Sequence, residues 1–143
     1  MTSSSDRRRP RPGDVLPYRF LFSDQADAGR EEGIKERPCV VVLAVGEGER
    51  PQVVVAPVTT RPPVDPDAVP LSAEAFGGDR PSWILPWELN VFRWTGPDVG
   101  RARRPAGAWW RIGVLEPRLQ KVLAGRVRAR LEARRARLLE RSE

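Results

Sequence analysis

Two runs rich in β-branched residues, CVVVLAV (39–45) and QVVVAPV (52–58), flank the polar turn GEGERP, and this pair limits most narrowly what the chain can become. Apolar, β-branched runs bounded by turn residues read as strands, and two of them across a short Gly-containing turn read as a β-hairpin. GDVLPYRFLF (13–22), VPLS (69–72), SWILP (82–86), NVFRW (90–94) and AWWRIG (108–113) read as further short strands. Pro17 confines the first of these to a sheet edge or a bulge, because proline has no N–H to give a ladder. TRPPVDPDA, between the second hairpin strand and VPLS, is too proline-rich to pair centrally and reads as a loop. Short strands separated by turn signals favour a small barrel over a doubly wound sheet.

The period changes at Glu116. Pro117 suits a first helical position, and Leu119, Val122, Leu123, Val127, Leu131 and Leu138 recur near helical spacing, which predicts a C-terminal helix over 116–140. Arg126, Arg128, Arg130, Arg134, Arg135 and Arg137 fall on its other face and read as a solvated basic surface. At the opposite end, residues 1–12 cluster Ser, Arg and Pro with little to bury, and read as a disordered basic arm. Residues 13–143 then make one domain of ordinary size. Within it, SDQADAGREEGIKER (23–37) is a long polar segment, and a loop of that length in a compact domain is functional or disordered.

Net charge is +6, but residues 117–143 hold nine Lys/Arg against three Asp/Glu, and residues 1–12 hold four Arg against one Asp. The remainder is slightly acidic, so the folded core is not broadly basic. Composition alone therefore does not establish a nucleic-acid binder, and the basic helix equally suits an acidic protein partner. The chain has no histidine, which excludes Ser-His and Cys-His catalysis, paired-histidine RNA cleavage and most zinc sites. Its one cysteine, Cys39, lies inside a strand and reads as a small buried side chain. Neither a glycine-rich phosphate loop nor a metal-ligand spacing is present, so no cofactor and no metal are expected. No apolar run approaches the roughly 18 residues of a spanning helix, and the first residues lack a signal-peptide core, so a cytoplasmic protein away from membranes is expected.

Four anchors follow one another in a suggestive order: Gly13-Asp14-Val15, Arg37-Pro38 with the apolar strand after it, Val54-Val55-Ala56-Pro57-Val58-Thr59-Thr60, and Val69-Pro70-Leu71-Ser72. Ile112-Gly113-Val114-Leu115-Glu116-Pro117 then leads into the helix. In this order the chain resembles the MazF/PemK toxins of type II toxin-antitoxin systems over roughly residues 13–131. The resemblance implies a mainly β fold with a C-terminal helix, a small Src-homology-three-like barrel of the CcdB/MazF/PemK type, acting as a homodimer. It implies an endoribonuclease that cuts single-stranded RNA without a metal and is neutralised by an antitoxin through an acidic segment.

Carried over by position, the family's catalytic arginine falls on Arg37, its threonine on Thr59 and its loop glutamate on Glu32. Lys35, Thr60, Arg61, Glu88 and Asn90 are the expected substrate contacts. Where many members carry an Asp-Gln pair, this chain has Trp87-Glu88. Metal-free cleavage needs a 2′-hydroxyl to lose a proton and attack phosphorus in line, while the 5′-oxygen gains one. A guanidinium stays charged and forks onto two phosphate oxygens, a geometry lysine does not reproduce, which suits Arg37. Arginine is a poor base, so Glu32 or Glu88 is the easier proton acceptor.

Read apart from that resemblance, Arg37 is a solvated rim charge, Thr59 and Thr60 are ordinary strand-end threonines, and the tryptophans are core or dimer contacts. Two other readings of the same barrel stay open: a catalytically quiet RNA-binding or regulatory module, and a gyrase-binding toxin of the CcdB type. The latter acts through an apolar, tryptophan-bearing C-terminus, whereas this chain ends Leu139-Glu140-Arg141-Ser142-Glu143.

Overall fold

A computed structural model describes residues 9–22, 35–133 and 137–140. Its strands are β1 (Asp14–Arg19), β2 (Glu36–Val45), β3 (Gln52–Thr59), β4 (Val69–Leu71), β5 (Ser82–Ile84), β6 (Glu88–Arg93), β7 (Gly113–Val114) and, after the helix α1 (Pro117–Glu132), β8 (Arg137–Glu140). The expected hairpin is the centre of the sheet: β2 and β3 pair antiparallel from Cys39↔Pro57 to Val45↔Gln52, with a bulge between Val41 and Leu43. One side of β2 carries β1, which in turn carries β7. The free edge of β3 is shared, its first half pairing with β6 and its last two residues with β5, which continues to β4. A bulge sharpens twist, and a strand with two successive partners on one edge bends, so this mainly antiparallel sheet curls into a half-barrel closed by one helix.

Both faces of the curl are buried, and strand alternation explains how. Val15, Val40, Ala56 and Val58 point to one side, where Leu123 and Val127 of α1 cover them. Leu16, Tyr18, Cys39, Val41, Val53 and Val55 point to the other, where Phe92, Trp94 and Trp110 fill the space. The first anchor acquires a physical reason here. Asp14 is buried, takes two N–H bonds from Arg111 at 3.1 and 3.3 Å, and accepts a third from the Arg11 backbone at 2.9 Å. Gly13 has φ 95°, and a Cβ there would collide with Gln120 of α1.

Several expectations need correction. β1 is not an edge strand. Pro17 sits opposite Pro38, and two residues without N–H tolerate each other where the ladder needs no donor; on its far side β7 reaches only Asp14 and Val15, and the Pro17 carbonyl accepts from Gly100 N at 2.8 Å. AWWRIG is a strand only from Gly113. Trp110 is apolar because it plugs the core edge-on to Trp94 at 4.9 Å between centroids, a use for an aromatic that requires no ladder. The helix ends at Glu132, and Arg137–Glu140 lie as a strand parallel to Glu88–Val91, satisfying the outer edge of β6. Leu138 therefore belongs to a strand. Arg134, Arg135 and the arm through residue 8 lie outside the described residues.

Nor is the basic face of α1 merely solvated. Arg126 donates to the Asp67 and Ala68 carbonyls, while Arg130 pairs with Asp65 and, at 2.9 Å, with Asp67, its guanidinium 5.1 Å from the Trp87 ring centroid. These bonds staple the proline-rich loop to the helix.

Candidate functional site

The register of the central hairpin explains how two residues far apart in sequence meet. Cys39↔Pro57 is the last pair of that ladder, and Arg37 and Thr59 each lie two positions beyond it, where the strands part. There β3 has turned to β5, with Thr59 against Trp83, while β2 stays with β1, with Arg37 against Tyr18. The diverging strands open a cavity of about 660 Å³. Arg37, Thr59, Lys35, Thr60 and Arg61 all line it, together with Glu36, Phe22 and the prolines of the loop after β3.

Arg37 is half-buried, its guanidinium carbon 4.7 Å from the centroid of the Phe22 ring. Burial lowers its pKa, an effect the neighbouring Cys39 opposes, yet a guanidinium starts so high that it keeps its charge. Among the described residues its buried Nε has no hydrogen-bond partner. A buried donor left open costs free energy unless a ligand or water answers it, so Arg37 keeps a donor free for either. The Thr59 hydroxyl accepts from Arg61 N at 3.1 Å, which engages an oxygen lone pair and leaves the hydroxyl proton to be donated outward. Behind Arg37, burial pushes the Cys39 thiol up, against the pull of Arg37, so it remains a protonated core group and no nucleophile.

Two of the expected residues are placed away from the cavity. Asn90, read as a substrate contact, is fully buried, and its amide clamps Leu21: Oδ1 accepts from Leu21 N and Nδ2 donates to Leu21 O, both at 2.9 Å. It thereby fixes the residue preceding Phe22, so its bearing on the cavity is through position. Glu88 opens β6, in register with Arg137, and does not line the cavity. Glu32 lies outside the described residues.

A second cavity of about 590 Å³ adjoins the first, sharing Glu36, Arg37 and Pro38 as its wall. Arg101, Arg103 and Arg104 line it, residues that the sequence alone does not bring forward. A signal exists: RARR puts three arginines into four positions, but a charge sum over residues 13–116 hides it. Among the described residues no His, Cys, Asp or Glu side chains gather into a group of three that could hold a metal.

A curled, mainly antiparallel sheet closed by one helix, whose diverging central strands open a cleft lined by Lys35, Arg37, Arg61, Thr59 and Thr60, defines a class of small β-barrel-like proteins. The family model of the PemK-like, MazF-like toxins of type II toxin-antitoxin systems matches residues 11–93, from the turn before β1 to the end of β6, and the chain belongs to that family. No curated protein matches the chain. None of the described helices is long and apolar enough to cross a membrane.

Proposed function

We propose that this PemK-like toxin is an endoribonuclease that cuts single-stranded RNA at short motifs by attack of a 2′-hydroxyl on the adjacent phosphorus, using its own side chains and no metal. The observation that carries this reading is that Arg37 and Thr59 line one cavity, with the buried Arg37 Nε unanswered among the described residues. As the 2′-oxygen bonds to phosphorus, the phosphate gains negative charge; the bond from phosphorus to the 5′-oxygen then breaks, and that oxygen takes a proton from solvent to leave as the 5′-hydroxyl. A half-buried guanidinium already in place stabilises that charge with little reorganisation, and its planar fork suits two equatorial oxygens. The Thr59 hydroxyl donates to the same phosphate, while Lys35, Thr60 and Arg61 hold neighbouring nucleotides.

The 2′-proton goes to a carboxylate, because the chain has no histidine. The family resemblance gives that role to Glu32; among the described residues the carboxylate in the cavity wall is Glu36. Glu32→Gln and Glu36→Gln variants separate them, since only loss of the acceptor slows the chemical step in single-turnover cleavage.

In the cell such a toxin requires an antitoxin, and an acidic segment of that partner complements the arginines of α1 and of the cleft. A homodimer in the cytoplasm accords with the family, and the exposed Leu43 and Val45 of β2 and Val114 of β7 offer apolar surface for a second copy.

Incubation of the purified protein with a long mixed-sequence RNA in EDTA tests the proposal. Cuts at a recurring short motif, leaving 2′,3′-cyclic phosphate and 5′-hydroxyl ends, are expected. Intact RNA under all conditions, with binding retained, would replace the proposal with the quiet RNA-binding reading; intact RNA with inhibited DNA supercoiling would replace it with the gyrase-binding one.

A further inference from the structure

From the second cavity we infer that the RNA strand is held on both sides of Arg37, with Arg101, Arg103 and Arg104 forming a phosphate-binding subsite beyond the cleavage site. The inference rests on the ribonuclease reading and extends it to the path of the substrate.

Three observations lead there. First, the two cavities are neighbours by construction: Arg37 and Pro38 form a common wall, so a chain whose phosphate reaches Arg37 from the first cavity finds the second on the other side. Second, the second cavity holds four arginines against the single carboxylate of Glu36, in a region of sequence that is otherwise slightly acidic. Among the described residues, Arg101, Arg103 and Arg104 have no ion-pair partner; Arg101 lies 5.6 Å from the Trp109 ring centroid. Clustered arginines normally repel one another, and a polyanion relieves that repulsion while releasing its counterions. Third, the cavity is not uniformly polar. Phe76 and Ile112 line it, and Phe76 is held at φ 53°, a backbone conformation rare for a bulky side chain. A volume of about 590 Å³ lined by both cations and an aromatic accommodates a nucleotide, phosphate and base together.

An acidic peptide would meet the cations equally well, but it would not explain why the patch is continuous with the Arg37 wall, nor the aromatic beside it. The subsite is therefore assigned to the RNA strand.

The test uses uncleavable 2′-O-methyl RNA, as a trinucleotide and as a longer oligomer, with the full-length protein, an Arg103→Ala/Arg104→Ala variant and an Arg103→Lys/Arg104→Lys variant. For the longer oligomer, the alanine variant is expected to bind on the order of tenfold more weakly at low salt. Its log affinity against log salt should be shallower by about 0.7 for each phosphate that the protein no longer neutralises. The lysine variant should restore the slope, which a merely misfolded alanine variant would not predict. Trinucleotide binding at the Arg37 cavity should not change.

Equal affinity and slope in wild type and alanine variant, with RNA cleavage intact in both, would overturn the subsite while leaving the ribonuclease reading in place. Unchanged RNA binding with abolished binding of polyglutamate would also overturn it, assigning the arginines to an acidic protein. Absence of any RNA binding by the wild type would overturn both readings.

Discussion

The guanidinium of Arg37 stacks over the ring of Phe22, 4.7 Å from carbon to centroid, at the mouth where β2 leaves β3. The ring face carries the negative end of the aromatic quadrupole, so Phe22 holds the cation in place without consuming a hydrogen-bond donor. Replacing Phe22 by Leu should leave the fold intact and loosen the guanidinium. At about 1 kcal/mol for a partly desolvated cation–π contact, the cleavage rate should drop roughly fivefold. Single-turnover kinetics with Phe22→Tyr as the conservative control checks this: Tyr should retain the rate, and equal rates for Leu and Phe would remove the ring from the account.

Asn90 acts on the same site from the core. Its amide satisfies both backbone groups of Leu21, the residue before Phe22. Asn90→Ala would strand a buried N–H and a buried C=O, and unfolding free energy should fall by about 2 kcal/mol. Denaturant midpoints measure the decrease. A change within about 0.5 kcal/mol, the scale of an ordinary surface substitution, would contradict the clamp.

Gly100 lies directly against the Glu36 carboxylate of the cavity wall. A Cβ there would collide with Glu36 Oε2, so Gly100→Ala must push that carboxylate aside. Because the obstacle is the tip of a flexible side chain, stability should change by under about 1 kcal/mol. If Glu36 takes the 2′-proton, Gly100→Ala should slow cleavage as Glu36→Gln does, and the two changes together should cost little more than either alone. Additive effects in that double-mutant cycle would show that Gly100 does not act through Glu36.

Cys39 gives the fold an alkaline limit. Burial raises the thiol pKa in the folded chain above the value of about 8.5 of an unfolded cysteine. As pH rises, the unfolded chain therefore loses its thiol proton first. The stabilisation is complete below about pH 8.5 and is lost above it, by at most about 1.4 kcal/mol per pH unit. Denaturation of wild type and Cys39→Val between about pH 7 and about pH 10 should show a steeper decline for wild type. Parallel declines would mean that the thiol titrates alike in both states.

What can be read in the sequence, and what cannot, follows from how far apart the interacting residues lie. The β2–β3 hairpin is local, and its apolar runs and turn residues mark it directly. Arg37 and Thr59 lie at the outer ends of its two strands, so both come to line the cavity that opens where the strands part. Asn90 passes for a substrate contact because nothing near it in sequence reveals Leu21, 69 positions away, as its partner. The helical spacing runs past the true helix end because Leu138 happens to continue it, while the edge of β6 that recruits Arg137–Glu140 is set by tertiary pairing. AWWRIG resembles a strand because burial and pairing favour the same residue types, and here Trp110 serves burial alone. The arginines at 101–104 acquire meaning only from the Arg37 wall beside them, which no local pattern discloses.

The central claim is that a preorganised guanidinium at position 37 stabilises the charge that develops on phosphorus. Single-turnover cleavage of one RNA oligomer in EDTA by wild type, Arg37→Lys and Arg37→Ala tests it most directly. The account predicts a loss on the order of 100- to 1,000-fold for alanine, most of it persisting with lysine, while binding of the uncleavable 2′-O-methyl oligomer weakens far less. Cleavage by Arg37→Ala at close to the wild-type rate would contradict it.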